Sequence, residues 1–302
     1  MIRIRHAVAL LAALATLAAC GGGSSNPLQA AGPKDGSVVV GSFNFPESVL
    51  LGEIYAQSLE DGGVKVQRKL NISSREVIFN QIKSGGLTVL PEYNGALLAY
   101  LDKQATASTT EEVNAALKQK LPATLELLSS SAAEDKDSVS VTKATAAKYN
   151  LKSLGDLAPV AKQLTLGGPP EFETRRQGVL GLKSEYGIEF KAFKSLDTAG
   201  PITVAALKKG DVQAANLFTT DPAIKANGFV PLADPKNHFG AQNVTPLIYK
   251  SGVDDKGRQA LDQVSSKLDT DSLATLVKRV VVDKEDAATV AKEWLASAGI
   301  AG

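Results

Sequence analysis

Ile82-Lys83-Ser84-Gly85-Gly86-Leu87-Thr88-Val89-Leu90-Pro91-Glu92-Tyr93-Asn94 matches Leu207-Lys208-Lys209-Gly210-Asp211-Val212-Gln213-Ala214-Ala215-Asn216-Leu217-Phe218-Thr219 without a gap when Gly85 is laid on Gly210. Each segment reads as a helix end, a glycine stop, a buried strand, then an aromatic followed by a small polar residue. Tyr93 and Phe218 share one register. Residues 38–45 and 164–172 repeat the idea: strand, glycine loop, then an aromatic before a helix. Two α/β lobes built on one plan are the reading, with largely parallel sheets. In such sheets ligands bind beyond the carboxyl ends of the strands. Phe43, Phe45 and Tyr93 would then face Phe172, Arg175 and Phe218 across a cleft, and hinged closure of the lobes would trap what lies between.

Val38-Val39-Val40 reads as a buried strand. Pro46 suits the first position of a helix, with Glu47 favourably placed at its positive end. Leu51, Ile54, Tyr55 and Leu59 give that helix an apolar face, and Gly62-Gly63 stops it. A strand follows over 64–70. Ser73 and Glu76 have capping-box spacing ahead of a second helix, and 87–90 is a further strand. Residues 102–130 are Ala-rich and read as helical. Residues 139–141 form a crossover strand into the second lobe, where strands are expected at 164–166, near Phe190 and at 212–217, with a helix over 202–208. A return strand at 244–249 precedes three amphipathic helices, at 256–268, 271–281 and 285–298, the last anchored in the core by Trp294. The expected organisation is a first lobe of 37–140 plus 244–302, a second lobe of 141–243, and hinges at 139–142 and 244–248.

The 302 residues include one cysteine, two histidines and only 5% aromatics, with a formal charge of +1. No internal disulfide is possible, and clustered Cys/His zinc sites and Cys–His catalytic pairs are excluded. No metal or cofactor site is expected. The near-neutral charge argues against nucleic acid as a partner. The glycine loops lack the Gly-Lys-Ser/Thr of a phosphate loop. His238, in a turn-rich loop, reads as solvent-exposed.

Arg3, Arg5 and His6 precede an uncharged apolar run over 7–19, the pattern of an export signal. The run ends in Leu17-Ala18-Ala19-Cys20-Gly21, which resembles a bacterial lipobox. That resemblance implies lipid attachment at Cys20 and removal of residues 1–19; the alternative is an ordinary signal with an incidental cysteine. Loss of Arg3 and Arg5 takes the 33 basic residues to 31, against 32 acidic. Residues 20–36 read as a flexible tether with a reach of roughly 20–25 Å.

Five ordered motifs carry a wider likeness: Gly41-Ser42-Phe43-Asn44-Phe45, Ser74-Arg75-Glu76, Pro91-Glu92-Tyr93-Asn94-Gly95, the stretch from Gly167 to Arg175, and Phe218-Thr219-Thr220-Asp221-Pro222. Together they resemble the substrate-binding lipoproteins of osmoprotectant ABC importers, the ProX-like OpuAC family, which carry glycine betaine, choline, carnitine, proline or related solutes. The resemblance covers nearly all of 38–298. It implies a type II periplasmic-binding-protein fold and two Rossmann-like lobes joined by a two-strand hinge. It also implies a monomer lipid-anchored on the extracytoplasmic face of the cell membrane, delivering solute to a permease and its ATPase.

A quaternary ammonium donates no hydrogen bond and is held by aromatic faces, whereas a ligand carboxylate needs Arg, hydroxyls or helix N-termini. The resemblance therefore implies aromatic contacts from Phe43, Phe45, Tyr93, Phe172 and Phe218. It makes Arg175 the anion partner, with Arg176 as competitor and a surface ion pair as the alternative. Asn44, Asn94, Thr174, Thr219, Thr220 and Asp221 are the orienting polar groups. Three positions depart from the family pattern: Phe43 stands where a lysine is common, and Asn94 and Ala96 stand where hydroxyls are. These point to a less polar ligand, or to a cation held by phenylalanines. A sensor with the same fold, and a hydrolase using Glu92 and Asp221 as paired carboxylates, are the other readings.

Overall fold

In the computed structural model, residues 36–300 are described; the expected export signal, the expected lipid site Cys20 and the expected tether up to residue 35 lie outside them. The first lobe runs β1 (Val38–Gly41), α1 (Pro46–Asp61), β2 (Val66–Lys69), α2 (Arg75–Lys83), β3 (Val89–Tyr93), α3 (Asn94–Leu101), α4 (Thr110–Lys120) and β4 (Leu125–Leu127). The second holds β5 (Asp137–Thr142), α5 (Lys143–Tyr149), β6 (Thr165–Gly168), α6 (Val179–Tyr186), β7 (Ala192–Ser195), α7 (Pro201–Lys209), β8 (Ala214–Phe218), α8 (Pro222–Asn227) and β9 (Phe229–Pro231). The chain then returns through β10 (Val244–Tyr249) to α9 (Asp255–Lys267), α10 (Thr270–Val281) and α11 (Ala287–Ser297).

Two five-stranded sheets result, ordered β2-β1-β3-β10-β4 and β7-β6-β8-β5-β9. The orders superimpose position by position. In each, the fourth strand is the one that has just crossed from the other lobe, and it pairs antiparallel with the strand third in order, β3 or β8. Gly85 and Gly210, the residues that define the internal match, both adopt positive φ, 79° and 81°. That conformation is strained for residues with a Cβ, and it stops the helix ahead of each central strand.

Helices cover both faces of the first sheet, so its central strands β1, β3 and β10 are buried on both sides, while the edge strand β2 is polar and largely exposed. Val38 and Val40 pack with α1 and the three terminal helices, Trp294 included, whereas Val39 packs with α2, α3 and α4. Alternation along the strand sends neighbouring side chains to opposite layers. The second lobe divides its core likewise: Val139, Val141 and Leu166 lie on one side, Leu207, Ala215 and Leu217 on the other.

The expected organisation needs five corrections. β5 begins at Asp137 and belongs to the second sheet, so residues 137–140 leave the first lobe. The crossovers are residues 128–136 and 232–243, ahead of β5 and β10 and not within them. They run side by side: Glu134 bridges Asn243, and the Asp135 amide donates to the Gln242 carbonyl at 3.2 Å. Residues 102–130 are helical only over α4, and the short strand β4 then pairs antiparallel with β10, Leu125 opposite Tyr249. The strand expected near Phe190 starts at Ala192. Ser73 and Glu76 form no capping box, because α2 starts at Arg75 after Ser74, and the Glu76 carboxylate is held by Arg175.

Gly95 seats α3 against the second crossover: a Cβ there would lie 2.0 Å from the Ala241 carbonyl oxygen. Alanine ordinarily stabilises a helix relative to glycine by about 0.4–1 kcal/mol. Gly95→Ala is expected to reverse that sign and destabilise by more than about 1 kcal/mol. Urea unfolding checks this, and an unchanged or raised midpoint contradicts the contact.

Candidate ligand-binding site

The carboxyl ends of β1, β3, β6 and β8 face one another across the lobes. Each delivers an aromatic: Phe43 and Phe45 after β1, Tyr93 at the end of β3, Phe172 after β6 and Phe218 at the end of β8. All five line a cavity of about 70 Å³. That is several times the roughly 10–15 Å³ needed to admit one water, the scale of a small-molecule site. Phe45 is the hub of the rings. Its centroid lies 5.3 Å from Phe218, 6.0 Å from Phe43 and 6.1 Å from Tyr93, and the Phe43 ring is parallel to it within 4°. Phe45 and Phe218 come from opposite lobes, so their contact closes the cavity.

Charge is arranged in committed pairs. Arg75, at the start of α2, binds Glu92 of β3 in two bonds, Nε to Oε1 at 2.9 Å and Nη2 to Oε2 at 2.8 Å. Burial works against the guanidinium's charge, but Glu92 outweighs it and raises the Arg75 pKa. The same guanidinium lies 5.1 Å from the Phe43 ring centre, so one cation already occupies an aromatic face. Arg175 reaches across the cleft to Glu76 at 2.6 Å. Burial would raise the Glu76 pKa, but the bond to Arg175 turns the balance and lowers it.

The acids in the wall have no such cations. Asp137 is held by Asn216 at 2.8 Å, and burial raises its pKa. Asp135, on the first crossover, is pushed well above the ordinary carboxylate range by burial and then by Glu47. Glu47 accepts from the Tyr93 hydroxyl at 2.5 Å and from the Thr220 hydroxyl at 2.6 Å; burial raises its pKa too. Tyr93, desolvated and facing Glu47, is held well above its ordinary value.

Of the polar residues expected here, Asn44 and Arg175 line the cavity. The remainder serve the framework. Asn94 is fully buried, with its Oδ1 accepting from the Gly95 and Asn243 amides and its Nδ2 donating to Asn114. It fastens α3 to the second crossover. Thr174 is exposed and bonds back to the Glu171 carbonyl. Thr219 accepts from the Lys136 amide at 2.9 Å, extending the pairing of β8 with β5, and Thr220 donates to Glu47 of the first lobe; neither lines the cavity. Asp221 caps α8 through the Ala223 amide, and burial raises its pKa to about 6.

Arg176 pairs with Glu185 and does not line this cavity. His238 is buried rather than exposed, its Nδ1 3.0 Å from Glu185. The lining residues missed from the sequence are chiefly Arg75, Asp135, Asp137, Asn216 and Gln242. Two had a signal, since Arg75 sits in a family motif and Asn216 in the internal match. Glu92, taken up by Arg75, and Asp221, a helix cap, form no acid–base pair across the cavity.

Residues 36–297 match the family model for the substrate-binding domain of ABC-type glycine betaine transport systems. The chain belongs to this family. It is 30% identical over 290 residues to the glycine betaine-binding protein YehZ of Escherichia coli K12, covering 91% of this chain and 93% of that one. It is 24% identical over 273 residues to the carnitine transport binding protein OpuCC of Listeria monocytogenes, with 87% of each covered. Among solved structures, one described as a glycine betaine/carnitine/choline ABC transporter superimposes with a TM-score of 0.68 at 22% identity, over 88% of this chain and 100% of that one. The fold is that of a periplasmic binding protein, as the resemblance implied, and the chain is a substrate-binding component of an ABC importer, acting outside the cytoplasm with a permease partner. Among the described residues no helix is long and apolar enough to cross a membrane.

The Arg75–Glu92 pair is buried at both ends, with exposures of 8% and 0%. Arg75→Leu is expected to cost about 3–5 kcal/mol by stranding Glu92, and adding Glu92→Leu to recover most of it. Urea unfolding of both single variants and the double variant measures the coupling; simple additivity would contradict it.

Proposed function

We propose that this protein captures a small quaternary ammonium solute in the cavity between its lobes and presents it to the permease. The observation that carries this is the aromatic wall of Phe43, Phe45, Phe172 and Phe218 with Tyr93, contributed by both lobes. A permanent cation seated there gains cation–π attraction from several faces at once, and the acidic group of Asp137 in the same wall adds a field of favourable sign. The glycine betaine-binding relative at 30% identity supports the solute class.

A second reading is favoured by one feature: both arginines of the wall already bind carboxylates, Glu92 and Glu76. A ligand carboxylate must compete with those partners, and Phe43 offers it nothing. A solute without a carboxylate, or a less polar one, escapes that competition. On this reading Asn44 orients the ligand, and Arg175 serves an anionic end only by sharing itself with Glu76. The protein acts as a monomer tethered to the extracytoplasmic membrane surface through lipid on Cys20, where two or more acyl chains give stable attachment and one does not.

Calorimetric titration with glycine betaine, choline and carnitine tests the solute class. Binding of at least one is expected, and Phe45→Leu should weaken it roughly 3- to 30-fold. Failure of all three to bind would contradict the reading. Cys20→Ser is expected to move the protein from the membrane fraction to the soluble one; unchanged membrane association would refute the anchor.

A further inference from the structure

Behind the aromatic wall three parts of the fold meet: the start of α1, the first crossover, and the turn between β8 and α8. Each contributes to one buried polar cluster. Thr220 bridges two carboxyls, its hydroxyl donating to Glu47 Oε2 at 2.6 Å and its amide to Asp135 Oδ1 at 3.1 Å. Thr219 adds a bond to the same Oδ1 at 3.4 Å, and its amide donates to the Lys136 carbonyl at 2.8 Å. Glu47 and Asp135 are 5% and 3% exposed, and Asp135 Oδ2 is buried without a hydrogen-bond partner.

The strongest charges acting on the pair are the two carboxyls themselves and Asp221. Tyr93 faces Glu47 and in turn feels Glu92. Lys284 lines the pocket on the outer side of Glu47, and the Lys136–Glu134 ion pair at 3.3 Å adjoins Asp135 along the chain. Arg75 and Arg175 bear on Asp137. Two adjacent buried carboxylates without a cation between them do not both stay ionised.

We propose that Glu47 and Asp135 share one proton when the lobes are closed, with the orphan Oδ2 of Asp135 as its seat, so that solute capture is linked to proton uptake. The inference rests on the reading of the lobes as a solute clamp, while the carboxyl pair itself can be tested without any solute. The Thr220–Glu47 bond crosses between the lobes, whereas the Thr220–Asp135 bond continues the pairing of β5 with β8, so opening the clamp breaks the first, parts Glu47 from Asp135 and lets water reach both carboxyls. The open form then ionises near the ordinary value of 3.8, while the closed form keeps its proton to higher pH.

The sign follows directly. Closing takes up about one proton between those two values, so closure weakens about tenfold for each pH unit gained in that window and levels off above it. Acidic surroundings favour capture, and a rise in pH favours release.

The test uses the full mature chain. Carbon-13 carboxyl resonances are followed from pH 5 to pH 8, and the radius of gyration is measured by X-ray scattering over the same range. One carboxyl is expected to titrate far above the others, to disappear in Asp135→Asn and to shift in Glu47→Gln. The radius should grow with pH in the wild type and stay constant in Asp135→Asn, whose amide stands in for the protonated acid. Choline titrated in buffers of different ionisation heat should take up about one proton per molecule bound. Ordinary titration of every carboxyl, or the same pH dependence in wild type and Asp135→Asn, overturns the proposal. Choline that fails to bind while one carboxyl titrates high refutes the solute assignment and leaves the shared proton standing.

Discussion

Glu47, almost without exposed surface, accepts one hydrogen bond from each lobe: from Tyr93 at the end of β3 and from Thr220 just after β8. The rest of the arrangement depends on that bridge. Holding Thr220 holds the turn that also grips the first crossover through Thr219 and Lys136. Holding the Tyr93 hydroxyl sets its ring beside Phe45, whose other neighbour, Phe218, immediately precedes the same turn in the chain. The polar cluster and the aromatic row are therefore one device, with closure written into both.

Around it, the cavity is organised by what its charges are already doing. Arg75 is bound at two points by Glu92 and stacks on Phe43. Arg175 joins the lobes through Glu76 at the other rim of the cleft. Charge-assisted bonds of this geometry are stronger than neutral ones, so they order the wall before a solute arrives. What remains for the solute is aromatic surface and buried acid. That balance favours a cation whose bulk is apolar, and it fits a family whose solutes include quaternary ammonium compounds. Phe43 acts in the same direction, by lining the cavity with a ring that carries no charge.

Much of this could be read before any coordinates because the signals are local. Gly85 and Gly210 stop helices wherever their lobes lie, and the strands after them carry Tyr93 and Phe218 to matching positions. The aromatics of the cavity follow from that symmetry. What escaped reading depends on tertiary contact. Asp135 and Asp137 sit in a polar run that looks solvated, and only tertiary packing buries Asp135 in the first crossover and half-buries Asp137 at the start of β5. Asn94 lies in a family motif but bonds to the second crossover, 149 residues further on. Val139 and Val141 would suit either sheet, so the shift of β5 into the second lobe is decided by its pairing with β8 and β9. β4 is three residues long, too short to impose a period on its Ala-rich surroundings.

A crystal structure of the mature protein grown with choline shows whether the aromatic row and the polar bridge act as one. The ammonium group is expected within about 6 Å of the ring centres of Phe45 and Phe218, with Thr220 still bridging Glu47 and Asp135 behind them. A cation bound outside the ring of phenylalanines, or lobes closed on it without the Thr220 bridge, would contradict that expectation.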